Sequence, residues 1–132
     1  MILVDTNVLA YLLIEGDKTA GAQALYERDP DWRSEGFILI EFSNIIATYR
    51  RGGALTAAAA AGLLADAEQI LTGTLNLPHA QALDLAAEFG VSAYDARFLG
   101  AARSLHTRLV TEDVRLRRAA PGLTQSLEQA LR

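Results

Sequence analysis

Cysteine is absent from the 132 residues, which excludes disulfide frameworks, thiolate zinc sites, iron–sulfur clusters and cysteine nucleophiles. Histidine occurs only as His79 and His106, too few for a histidine-rich metal centre. Uncharged apolar runs are short, the longest being residues 8–14 and 57–65, whereas a membrane helix needs about 20 residues. The opening MILVD has no basic segment before its first acid. It therefore does not read as a secretory signal, and a cytoplasmic location is expected. Neither GxxxxGK[ST] nor GxGxxG occurs, so nucleotide binding through those phosphate-cradling turns has no basis.

The apolar fraction, 51 %, is enough for one folded domain over residues 1–132 and argues against disorder. Twelve basic and sixteen acidic side chains give a net charge of -4, which does not suit a non-specific DNA coat. The charge is uneven. Residues 1–50 hold eight acids against four bases, while residues 91–132 hold seven arginines against four acids. That basic third, with Arg97, Arg103, Arg108, Arg115, Arg117 and Arg118, is the candidate surface for a phosphate backbone, because the planar donor fork of arginine suits phosphate.

Apolar runs at residues 1–5 and 107–111 end in or next to acids and read as covered parallel strands; residues 32–34 read as a third, brief one. Between them, apolar residues recur at helical spacing over 6–14, 19–28, 38–49, 56–70, 78–90, 94–105, 114–120 and 123–131. Pro78 and Gly90 punctuate one of these segments as a start and a stop. The pattern predicts an α/β domain, a three-layer α/β/α sandwich around a small parallel sheet, with residues 37–70 forming a helical hairpin.

Four acids have mostly apolar neighbours. Asp5 and Asp113 follow strands, where α/β folds place their ligands. Asp95 opens a helix that carries Phe98, Leu99 and Ala102, and Glu41 lies among Ile38, Phe42 and Ile45. Each has an ordinary alternative as a helix cap or a solvated side chain. Gathered in a dry place, however, like charges repel and are costly to desolvate, and a divalent cation relieves both problems. Ligation by oxygen alone points to Mg²⁺, with Mn²⁺ as a substitute. The matching chemistry is metal-assisted phosphodiester hydrolysis, with Asn7 and Thr111 as hydrogen-bonding supports beside the acids.

The motifs carrying these acids are VDTN at residues 4–7, IEF at 40–42, SAYDA at 92–96 and LVTEDVRL at 109–116. In this order and spacing the chain resembles the PIN domain family, and within it the small toxin ribonucleases of VapBC toxin–antitoxin pairs. The resemblance implies a PIN-like fold and a Mg²⁺-dependent endoribonuclease with Asp5, Glu41, Asp95 and Asp113 as catalytic metal ligands. It also implies an RNA substrate, a homodimer, and a small cognate antitoxin that blocks the site. Within the same fold, the alternatives are an RNA-processing nuclease outside a toxin–antitoxin pair, or an inert binding module. Receiver domains and haloacid-dehalogenase-like phosphatases both need a lysine late in the chain, and the only lysine is Lys18. Leu39, Ile40, Tyr49 and Leu55 are expected on an exposed apolar surface that a partner would cover. Glu112, a fifth acid beside the set, has no assigned role.

Overall fold

In a computed structural model that describes residues 1–132, the strand β1 (Ile2–Val4) lies at the centre of the sheet. Its Leu3 and Val4 are fully buried, as a strand covered on both faces requires. On one side it pairs in parallel with β2 (Trp32–Glu35), with Ile2 opposite Trp32. On the other it pairs with β4 (Leu109–Val110), with Val4 opposite Val110. β3 (Leu71–Leu75) flanks β2, and β5 (Thr124–Gln125) flanks β4. All five strands are parallel, in the order β3-β2-β1-β4-β5. The chain moves outward through β2 and β3, then returns to the other side of β1 for β4 and β5. The order therefore reverses between β1 and β4, and the C-terminal ends of those two strands border a crevice.

Helices cover the sheet: α1 (Thr6–Leu13), α2 (Thr19–Arg28), α3 (Phe37–Arg51), α4 (Ala57–Ile70), α5 (His79–Phe89), α6 (Ala93–Ser104), α7 (Val114–Ala119) and α8 (Leu127–Ala130). None is long and apolar enough to cross a membrane. The expected hairpin is present, α3 packing against α4, and α5 packs against α6. Polar side chains start most of these helices. Thr56 accepts from the Ala59 amide, Ser92 from Asp95, and Ser126 forms a reciprocal capping box with Gln129, each satisfying amides that the helix cannot. Gly90 ends α5 in the left-handed region, at φ 66, which glycine adopts without strain.

The main core joins Leu3, Val4, Leu9, Trp32, Ile38, Phe42, Leu99, Leu109 and Val110. A smaller cluster of Leu77, Ala82, Leu85 and Ala96 lies beneath α5 and α6. The close approach there depends on Gly100, where an added Cβ would stand 2.4 Å from a methyl carbon of Leu77.

Three expectations are corrected. The helix expected over 56–70 is followed at once by a strand that was not expected, because β3 starts at Leu71 directly after Ile70 with no intervening loop. Residues 123–131 are not one helix. Leu123 and Gln125 offer carbonyls to the amides of Leu109 and Thr111 at 2.8 and 2.9 Å, so the segment first forms β5, and the Ser126 cap delays α8. Leu39 and Leu55 are half-buried against the main core rather than exposed, whereas Ile40 and Tyr49 are exposed.

Candidate active site

The crevice at the β1–β4 reversal is a cleft of about 540 Å³, and Asp5, Glu41, Asp95 and Asp113 all line it, with Asn7, Asn44 and Tyr94 among the other lining residues. Residues separated by up to 108 positions in sequence thus meet where the topology opens the sheet. No three acidic or histidine side chains stand close enough to enclose an ion by themselves.

Asp5 leaves the end of β1 and caps α1. One carboxylate oxygen accepts from the Val8 amide at 3.0 Å, and the other accepts from the Thr111 hydroxyl. Burial pushes its pKa from 3.8 up to about 6. The bonds from Thr111 and Val8 oppose the rise, and the charges of Asp113 and Glu41 add to it. The capping and ligand readings of Asp5 are therefore compatible, since the cap fixes a carboxylate that still suffers from burial and repulsion. Asp113 likewise caps α7, accepting from Arg115 and Leu116 at 2.9 and 3.2 Å through a single oxygen. Asp95 stands in the first turn of α6, its pKa raised by burial and by Asp113, with Ser92 opposing. Glu41, in the second turn of α3, accepts from the Thr6 hydroxyl at 2.7 Å.

The supports are distributed differently from the expectation. Thr111 is fully buried, donates to Asp5 and accepts from the Asp113 amide at 3.1 Å, so one hydroxyl sets two of the acids. Asn7 lines the cleft and is exposed. Thr6 was missed, although a threonine between Asp5 and Asn7 at a helix start is a signal in the same motif.

None of the four acids takes part in an ion pair, and no basic side chain lines the cleft. The basic residues serve other partners. Glu112 is matched by Lys18 at 3.6 Å and Arg117 at 3.9 Å. Arg103 holds Glu88 at 2.8 Å on the surface. Arg97 is drawn inward rather than presented to a phosphate path. Its guanidinium donates to the Leu77 carbonyl at 2.8 Å, lies 3.6 Å from Glu35 and contacts His79. Arg108, Arg115 and Arg118 are exposed and take part in no ion pair. Glu35, at the end of β2, is a second acid that sequence reasoning passed over. It is only 2 % exposed and accepts from the Phe37 and Leu77 amides. His106 has a positive φ of 52 in the turn before β4, a conformation histidine tolerates better than most residues; it lies outside the cleft.

The fold and cleft thus define an α/β protein with an acidic crevice at the switch point of a parallel sheet. The PIN domain model matches residues 2–121. The chain belongs to the PIN domain family, a metal-dependent nuclease fold. It is similar to the crystal structure of PAE2754 from Pyrobaculum aerophilum, with a TM-score of 0.80 over 98 % of this chain and 91 % of that one. At 23 % identity this likeness is one of fold. No curated protein matches the chain.

The donor set fits a divalent cation. It consists of carboxylate oxygens, one of them buried with a raised pKa, and no cation within the chain is paired with any of them. Hard oxygen ligands of this kind select hard ions.

Proposed function

We propose that the protein is a Mg²⁺-dependent endoribonuclease that acts as the toxin of a type II toxin–antitoxin pair. The observation that carries the reading is a cleft holding four carboxylates with no positive side chain among them. Asp5, Glu41, Asp95 and Asp113 would hold the ion, Mg²⁺ or Mn²⁺ in its place, some of them directly and the others through its waters. Mg²⁺ keeps several waters and takes only one or two carboxylates directly, which agrees with a site that does not close three acids on one point. When bound, the metal supplies an activated water and neutralises charge on the transferring phosphoryl group.

The residues of the chain do the positioning. Thr111 and the Val8 amide keep the Asp5 carboxylate at a fixed orientation, Thr6 keeps Glu41, and the α7 amides keep Asp113. Asn7, exposed in the cleft, is the hydrogen-bond donor for the scissile phosphate. Arg115 and Arg118, on α7 beside Asp113, contribute to the path of the backbone, whereas Arg108 precedes β4, at the end of that strand away from the cleft. A cognate antitoxin blocks the site with a basic side chain, since an arginine among the four acids cancels their charge without a metal. Exposed Tyr49, away from the cleft lining, provides apolar surface for a homodimer or for that antitoxin. The whole chain works as one domain in the cytoplasm.

Cleavage of single-stranded RNA in Mg²⁺, stopped by chelator and yielding 5′-phosphate ends, tests the chemistry. Growth arrest on expression, relieved by a small protein encoded beside this one, tests the biological role. Undiminished cleavage in chelator would defeat the mechanism; cleavage without growth arrest would leave an RNA-processing nuclease.

A further inference from the structure

The acidic cleft shares a wall with a second cleft of about 670 Å³, and Phe37, Ile40 and Tyr94 line both. Phe37 and Tyr94 are stacked, with centroids 5.2 Å apart and planes 9° from parallel. Tyr94 immediately precedes Asp95, and Phe37 stands four residues before Glu41, so the ring pair is attached to the same two helices as two of the acids. Tyr94 is 62 % exposed and Ile40 64 %.

Single exposed apolar residues need no explanation, but two large ones on one rim of a functional cleft do. The ridge they form is narrow. One side falls to the carboxylates. The other falls to a cleft whose buried Glu35 is matched by Arg97 and whose lining includes Asn76 and His79. The apolar core of a protein–protein interface is wider than this and is depleted in charge. A nucleobase needs only one ring face, and it stacks on aromatic side chains whatever its identity.

The geometry points to the Phe37–Tyr94 pair as a stacking platform for one base of a single-stranded RNA, placed so that a phosphate next to that base enters the acidic cleft. This rests on reading the cleft as a metal-dependent nuclease site. Phe37 covers one face of the Tyr94 ring and keeps it from turning, leaving the exposed part of the ring for the base. The neighbouring nucleotide lies in the second cleft, where Arg97 removes the charge that Glu35 would otherwise set against a phosphate. His79 meets Arg97 through Nδ1 and lines the same cleft. Bases of a duplex are already stacked on both faces, so the platform favours single strands.

The test is an abasic scan of a short mixed-sequence RNA, single-stranded and in Mg²⁺. Cleavage is followed with the wild-type protein, and binding with Asp5→Asn to suppress turnover. At one position, removing the base should weaken binding about 5- to 100-fold. Adding Tyr94→Ala should weaken binding of the intact strand by a similar factor and erase the effect at that position, and Tyr94→Phe should restore both. Tyr94 is exposed, so these variants keep the fold. An abasic profile unchanged by Tyr94→Ala, with wild-type cleavage intact, overturns the platform and leaves the nuclease reading standing. The same holds if Tyr94→Ala instead weakens only self-association. A wild-type protein that neither cuts nor binds the strand overturns both.

Discussion

Asp5 and Glu35 occupy equivalent places on neighbouring strands. β1 and β2 pair in parallel; Asp5 follows the last residue of one, and Glu35 is the last residue of the other. Both are buried, at 8 % and 2 % exposure, and both accept backbone amides at the start of the next helix. They differ in the charge around them. Glu35 has Arg97 at 3.6 Å, whereas Asp5 has Asp113 and Glu41, which raise its pKa beyond what burial does. A buried acid with its own arginine is a structural element. A buried acid whose charged neighbours are all acids is stable in its ionised form only if a cation comes from outside. One strand's width separates the two cases, and the difference is what supports placing the proposed metal beside Asp5 rather than Glu35.

The comparison breaks most visibly in activity. Asp5→Asn or Asp95→Asn should lower the cleavage rate by at least about 10²-fold, because even residues that only orient a ligand contribute 10- to 100-fold. Thermal stability should not fall, and in chelator above about pH 6 that of Asp5→Asn should rise. Glu35→Gln should do the reverse. It leaves Arg97 without its anion and should cost about 3 kcal/mol, the low end for a broken buried pair given the 3.6 Å separation. Urea unfolding reads the stability, and the cleavage rate per folded molecule should stay close to wild type.

A pH series sharpens the contrast. Folded Asp5 binds its proton more tightly than the unfolded chain does. It therefore adds stability that is complete below pH 3.8 and is lost as the pH rises through about 6. A shift of that size corresponds to about 3 kcal/mol. Asp95, shifted in the same direction, adds to it. Unfolding in chelator across this range should show wild type losing stability relative to Asp5→Asn as the pH rises. Parallel curves would mean that the Asp5 carboxylate is not strained by its surroundings.

Much of this was legible locally. Strand-then-acid patterns gave β1 with Asp5 and β4 with Asp113, and Asp95 ahead of Phe98, Leu99 and Ala102 marked the first turn of α6, because helical spacing is a local signal. β3 was not legible. LTGTL alternates as a strand should, but it follows α4 with no glycine or proline between, so no local signal separates the strand from the helix. β5 has two residues and exists only through its pairing with β4, which no local pattern encodes. Glu35 carried the same strand-end signal as Asp5, but its partner is Arg97, 62 positions away. Composition suggested a phosphate contact for that arginine, and only the fold shows it turned inward.

Smaller effects calibrate the account. Thr111→Val removes the hydroxyl that donates to Asp5 and accepts from Asp113. It should lower metal affinity or the cleavage rate about tenfold, measured by titrating Mg²⁺ against activity. Glu88→Gln breaks the exposed pair with Arg103, which is shorter than the Glu35–Arg97 contact, 2.8 Å against 3.6 Å. It should leave the melting temperature unchanged, because solvent screens such pairs. If Glu88→Gln proved as damaging as Glu35→Gln, burial would not be what distinguishes the pairs.

The most direct measurement is calorimetric titration of Mg²⁺ and Mn²⁺ into the metal-free wild type, Asp5→Asn, Asp95→Asn and Glu35→Gln near pH 6. The wild type should bind saturably and release protons on binding, as expected when the raised pKa of Asp5 is driven down by a cation. Glu35→Gln should bind in the same way, and both aspartate variants should lose most of the affinity. Binding that survives unchanged in Asp5→Asn and Asp95→Asn, or that disappears in Glu35→Gln while the protein remains folded, would contradict the assignment of the metal to the four unpaired carboxylates.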